Sequence, residues 1–273
     1  LRRFTPALAA SLGQPVIIDN RAPVVVEELA VNAVPDGYTL VADGASLWVE
    51  TLMQKKSYDP VKDFSPITVT TVSPNMLVVH PALAASSVKE LIALAKAKPG
   101  LLNYAAGSVG SSNHLAAELF KSMSGVNIVR IPYKGGGPAI VDVIAGRVQV
   151  MFPSTTLGGP HVNAGRLRAL AIGSLQRSVQ FPALPTVAES GLPGYDSKTT
   201  YGIFAPAKTP AAIINRLNRE IVQVLNTRAD IKQRFLEDGL EVVANSPQEF
   251  AALIKSELII MGKLIKEAGI RAE

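Results

Sequence analysis

Strand-like and helix-like patterns alternate along nearly the whole of this chain, and no other feature restricts its fold as much. Short apolar runs bounded by Gly or Pro predict buried strands at Ile67–Val72, Asn75–His80, Leu101–Ala105, Ile128–Ile131, Val148–Phe152 and Arg168–Ile172. Further strands are expected at Pro15–Asp19, Tyr38–Ala42 and Thr200–Ala205. Helix patterns fall between them, at Val24–Val34, Ser87–Ala97, Ser111–Met123 and Pro138–Ala145, with a helix end at His161–Arg166. Ser87, with Glu90 three residues on, makes a capping box, and Pro99-Gly100 closes that helix. The tail is helical over Pro210–Asn226, Ala229–Glu237 and Pro247–Ala268, broken by a short strand at Leu240–Val243. Strands separated by helices of this length argue for βαβ units, and so for an α/β fold of mostly parallel sheets with flanking helices.

With 273 residues, 48% of them hydrophobic, the chain is long enough for two cores. The stretch Ser174–Asp196 is rich in Pro and Gly and reads as a connecting excursion. Crossing points near Leu102–Ala105 and Thr199–Tyr201 give two lobes. Residues 1–102 plus 200–273 build a discontinuous first lobe, and residues 103–199 build the second. The sequence opens inside a helix pattern, Arg2–Leu12, so its true start is expected upstream.

Composition narrows the function. The formal charge of +5 suits an anionic partner. The basic residues are scattered and aromatics are only 5%, which argues against nucleic acid. There is no cysteine, hence no disulfide and no thiolate chemistry. His80, His114 and His161 lie far apart without metal-ligand spacing, so no metal is expected. No nucleophile elbow occurs, and the aspartates cluster at turns, so no catalytic residues are assigned. No apolar run reaches the roughly 18–20 residues of a membrane span. His80 reads as structural and Trp48 as core.

Two loops stand out as ligand sites. The first is Tyr104-Ala-Ala-Gly-Ser108-Val-Gly110-Ser111-Ser112-Asn-His114, a strand, a Gly/Ser loop and a helix start. Such a loop aims free N–H groups and the positive end of a helix dipole at one anion. A single serine there would read as an N-cap, but three serines with Gly107 and Gly110 favour a ligand loop. His114 reads equally as an anion contact or as a cap. The second loop, Tyr133-Lys134-Gly135-Gly136-Gly137-Pro138, repeats the arrangement, with Pro138 expected at the first helical position. It could equally be a tight strand–helix turn. No Gly-Lys-Ser/Thr follows its glycines and the G-x-G-x-x-G spacing is absent, so it calls for no nucleotide cofactor. Both loops fall at the carboxyl ends of expected parallel strands.

An ordered set of segments resembles the Bug receptors, the periplasmic binding components of tripartite tricarboxylate transporters. They are Gly13–Arg21, Pro35–Leu40, Tyr58–Phe64, Leu102–Ser108 with Ser111–Phe120, Pro132–Gly135, Gly165–Leu170, Pro185–Glu189 and Gly191–Tyr195. The resemblance runs from about Gly13 to the C-terminus. It implies a two-lobed Venus-flytrap fold like that of periplasmic binding proteins, with the ligand in the interlobe cleft. It also implies a non-enzymatic, monomeric, periplasmic receptor that needs no cofactor. Its partners would be a small carboxylate (di-, tricarboxylate or aromatic acid) and the membrane permease to which it delivers it. Carried onto this sequence, the ligand contacts are Ser108, Gly110, Ser111, Ser112 and His114, with Tyr133, Lys134, Gly135 and Gly136. Ser46 joins them from the loop Asp43–Ser46 of the first lobe. The chain departs from the family at Asn20–Val26, at its opening, and at Phe152-Pro153, where relatives often carry Phe-Asp. The competing readings are an α/β enzyme acting on an acidic metabolite and a ligand sensor feeding a membrane partner.

Overall fold

The computed structural model describes residues 3–21 and 23–270; Ala22, within the divergent segment Asn20–Val26, lies outside the described residues, as does the start of the helix pattern at Arg2. In chain order the elements are α1 (Thr5–Leu12), α2 (Pro23–Val31), β1 (Val41–Gly44), α3 (Ser46–Val49), β2 (Phe64–Pro74), β3 (Met76–Val79) and α4 (Val88–Ala97). There follow β4 (Asn103–Ala106), α5 (Ser112–Ser124), β5 (Val129–Pro132), α6 (Gly136–Ile144), β6 (Val150–Met151), α7 (Thr155–Asn163) and β7 (Arg168–Ile172). Last come β8 (Lys198–Pro206), α8 (Ala211–Thr227), α9 (Ala229–Glu237), β9 (Glu241–Val242) and α10 (Pro247–Glu267).

These elements form two compact units. One takes the chain up to Val72 and again Thr200–Ile265; the other takes Ser73–Thr199 and the residues from Lys266 on. The first crossing thus lies well before the expected Leu102–Ala105. The reason is β3, whose ladders with β6 and β7 tie it to the second unit's sheet.

The first unit holds a four-stranded sheet in the order β1-β8-β2-β9. Its core collects Phe4, just ahead of α1, Leu8 of α1, Ile67, Ile203 and the inner faces of α8 and α9. α8 supplies Ile214, Leu217, Ile221 and Val224, the i, i+3, i+7, i+10 spacing of a helix with one apolar stripe. Trp48 is fully buried against Phe204 and Phe250, as its core reading expects.

The second unit holds a five-stranded sheet in the order β5-β4-β6-β3-β7. It is covered on both faces. Along β3, Leu77 and Val79 enter one apolar cluster with α4 and α5, while Met76 and Val78 enter another with α6. That two-sided burial explains why β3 reads as a continuous apolar run instead of an alternating one.

Three expectations need correction. The sheets are not mostly parallel: β4 runs parallel to β5 and β6, but β1–β8, β2–β9, β3–β6 and β3–β7 are antiparallel. Alternation of strand and helix fixes direction only between strands joined by one crossover, and β3 and β8 are not so joined to their neighbours. Pro15–Asp19 is not a strand: it has no ladder, and Ile17 is 87% exposed. An apolar run promises burial only where a neighbouring backbone is there to pair with it. Pro138 sits third in α6, not first, because the helix already opens at Gly136. It is still in the first turn, where no intrahelical N–H bond is lost.

Candidate functional site

Strand β4 lies between β5 and β6 and runs parallel to both, so three carboxyl ends stand side by side. Each leads through a short loop into a helix: Gly107–Ser111 into α5, Tyr133–Gly135 into α6, and Phe152–Ser154 into α7. Carboxyl ends of adjacent parallel strands are where open α/β sheets place ligands. A pocket of about 180 Å³ opens there. It is lined by Gly107, Ser108, Ser111, Ser112, Asn113, Gly135, Gly136, Ser154 and Leu157 from the three loops and helix starts, and by Asn75 and Thr199. All belong to the second unit. None of these residues carries a formal charge.

The two helix starts that the sequence marks are open. Ser111, at the N-cap of α5, makes no side-chain cap bond, because its hydroxyl donates to Asn113 Oδ1 at 2.6 Å. Gly135, at the N-cap of α6, has no side chain to cap with. The first-turn N–H groups of a helix have no intrahelical acceptors. Two sets therefore converge on one pocket, with the positive ends of two helix dipoles behind them. α7 differs: its N-cap Ser154 accepts from Leu157 N.

Side chains hold this backbone in place. Asn113 Oδ1 also accepts the Gly107 N–H at 3.2 Å, folding the first loop onto its own helix. Asn75, 1% exposed, fastens four segments. Its Nδ2 donates to Phe152 O at 2.9 Å, and its Oδ1 accepts from Ser112 Oγ and Ser197 Oγ, both at 3.0 Å. Thr199 Oγ1 in turn donates to Ser112 Oγ at 2.8 Å. Gly136 packs against α7: a Cβ there would stand 2.7 Å from Leu157 Cδ2.

The expected site residues divide. Ser108, Ser111, Ser112, Gly135 and Gly136 line the pocket. Gly110 and His114 do not; they build the loop behind it. Gly110 takes a left-handed φ of 81°, and its N–H donates to Nδ1 of the buried His114 at 3.1 Å. An imidazole accepting at Nδ1 carries its proton on Nε2, and this contact is a side-chain bond to an N–H just ahead of α5, of the kind the cap reading of His114 expects. Tyr133 is turned onto its own helix, its hydroxyl donating to Asp142 Oδ2 at 2.8 Å. Burial, and then the carboxylate it donates to, push that hydroxyl up to about 12, so it stays protonated. Asp142 is held low by this bond and by Arg147. Lys134 is exposed and outside the lining. Ser46 belongs to the first unit, where it opens α3 and its hydroxyl donates to Asp43 Oδ1 at 3.3 Å. Burial raises the Asp43 carboxyl above its ordinary range.

Sequence reasoning passed over Asn75, Asn113, Ser154, Leu157 and Thr199 as site residues. Ser154 carries a readable signal, since Phe152-Pro-Ser154 repeats the strand–serine–helix order of Ser111. Asn75 and Thr199 carry none; they reach the pocket only because the chain passes between the units beside them. Among the described residues no group of three or more His, Cys, Asp or Glu is placed to hold a metal ion. Nor, among them, is any helix long and apolar enough to cross a membrane.

The family model described as tripartite tricarboxylate transporter family receptor matches residues 1–270. The chain belongs to that family. Its members are receptors, which sets the enzyme reading aside. Protein BugT of Bordetella pertussis is 36% identical over 99% of this chain and 84% of its own length. Rpa4515 of R. palustris, solved with adipate, is 32% identical with a TM-score of 0.85, over 100% of this chain and 92% of that one. The periplasmic binding protein BugD is 27% identical with a TM-score of 0.81, over 100% and 93%. The resemblance read from the ordered motifs is therefore the family itself, and the fold is the α/β fold of these binding proteins.

Proposed function

We propose that the chain is a periplasmic receptor that captures a small carboxylate in the second unit's pocket and delivers it, as a monomer, to the permease of its transporter. The observation that carries this reading is the pair of uncapped helix starts opening on one pocket whose lining bears no charge. N–H groups already oriented toward one point bind an oxyanion without a buried cationic partner, which would itself be costly to desolvate. Ser108, Ser111, Ser112, Gly135 and Gly136 are the proposed contacts, all but Ser108 through their main chain, since the hydroxyls of Ser111 and Ser112 already donate to Asn113 and Asn75. Gly110, His114 and Tyr133 shape the loops, and Lys134 stands outside. That a solved relative holds adipate supports a carboxylate ligand.

A thermal-shift screen with adipate, malate, citrate and benzoate, repeated with the matching amides, tests the reading. A carboxylate at about 100 times its Kd adds roughly 2.7 kcal/mol of stability, a clear rise in Tm, and its amide should add far less. No rise with any carboxylate, or equal rises with the amides, would sink it. Delivery is tested by deleting the gene from its host and measuring uptake of the carboxylate that binds.

A further inference from the structure

The pocket's cationic support lies behind the peptide plane. Arg130, on β5, stands outside the lining, and its Nη2 donates to the Gly107 carbonyl at 2.9 Å. A trans peptide is planar, with its C=O and the following N–H pointing in opposite directions. A Gly107 carbonyl fixed toward Arg130 therefore turns the N–H of Ser108 the other way, and both Gly107 and Ser108 border the pocket. We propose that Arg130 is the positioning residue of the anion loop, holding the Gly107–Ser108 peptide so that the Ser108 N–H is presented to the bound carboxylate. The guanidinium also polarises that peptide, strengthening its N–H as a donor, since hydrogen bonds in series reinforce one another. The cation acts through one amide plane and never touches the ligand, so its own hydration shell need not be removed on binding. The Gly107 N–H is held separately, by Asn113 Oδ1, so that the peptides on both sides of Gly107 are fixed. The effect on affinity rests on the pocket being a carboxylate site; the orientation of the peptide does not.

The test uses ¹⁵N-labelled full chain in three forms: wild type, Arg130→Lys and Arg130→Gln. Loss of the bond to Gly107 O should shift the Ser108 amide resonance most in Arg130→Gln and less in Arg130→Lys. Titration with adipate should then show affinity weakened about tenfold in Arg130→Gln, as for loss of a charge-assisted bond, and less in Arg130→Lys. A Ser108 resonance unmoved in both variants overturns the proposal whatever adipate does. Should Arg130→Gln give no dispersed spectrum, Arg130→Lys decides in the same way. A Ser108 shift in a chain that does not bind adipate leaves the positioning standing and counts against the carboxylate reading. Adipate binding of wild-type strength in the variants, with Ser108 unmoved, does the reverse.

Discussion

Asn75 is the residue on which most of the pocket's walls hang. It is buried, and its amide meets Phe152 O, Ser112 Oγ and Ser197 Oγ. Its backbone also takes part, with its N–H on Ser197 O and its carbonyl under Gly173 N–H. Asn75→Ala takes the amide donor from the Phe152 carbonyl and the acceptor from the Ser112 and Ser197 hydroxyls, in a buried place. It should cost about 2–3 kcal/mol in urea unfolding, and carboxylate affinity should fall with it. Glu27 makes a different kind of test. It is 3% exposed, near Lys56 at 3.8 Å, and burial raises its carboxyl above the ordinary range in spite of the neighbouring Tyr58 hydroxyl and the charge of that lysine. A raised folded-state pKa means the folded chain holds the proton more tightly than the unfolded one. The contribution is full below the unfolded value, near 4.5, and is lost as pH rises through the folded value. Glu27→Gln lacks this term. Its stability relative to wild type should therefore climb as pH rises above about 4.5, read from urea midpoints; a flat difference would contradict the assignment.

At the scale of elements, the site is three strand–loop–helix units set in parallel, and two of the three are legible in the chain. Tyr104–His114 and Tyr133–Pro138 announce themselves because each keeps the whole grammar within a dozen residues: apolar strand, Gly-rich loop, helix start. The motif Tyr58–Phe64, legible too, has a local task. Asp59 accepts from the N–H groups of Val61 and Lys62, Asp63 accepts from Asp59 N–H, and Tyr58 ties back to Leu47 O, so the segment caps the entry to β2. What could not be read is pairing between distant segments. The sequence names β3 as a strand but not the sheet that takes it, and Asn75 and Thr199 look like linker residues until their neighbours in space are known. Pro15–Asp19 shows the converse, an apolar run with no partner strand. Gly110 gives a prediction at this scale. Its φ of 81° is costly for a side chain, so Gly110→Ala should lose about 1–2 kcal/mol. Carboxylate affinity should drop as the turn before α5 loosens, while adipate titration of a control such as Gly165→Ala, also at a left-handed φ but outside the pocket lining, stays at wild-type strength.

For the molecule as a whole, charge and recognition are separated. The net charge of +5 is spread over the chain, whereas the pocket lining is neutral. The association rate of a dianion should therefore fall as salt rises from about 10 to 150 mM, over which the screening length drops from about 30 to 8 Å. The dissociation rate, set by hydrogen bonds inside the pocket, should hardly move in stopped-flow measurements. The hydroxyl of Ser112 bears on how such a receptor changes over generations. Its single proton already goes to Asn75, and its oxygen already accepts from Thr199. With Ser111 committed to Asn113 as well, the atoms left facing a carboxylate are largely main-chain ones. Main-chain atoms are the same whatever the codon. Mutation then has little to act on where the charge is read, except through the few residues that hold that backbone, such as Asn75, Gly110 and Arg130, and drift elsewhere need not lose the anion. New ligands would be won instead through the volume left by residues such as Leu157, so that the shape of the cargo is free to evolve while its charge is inherited.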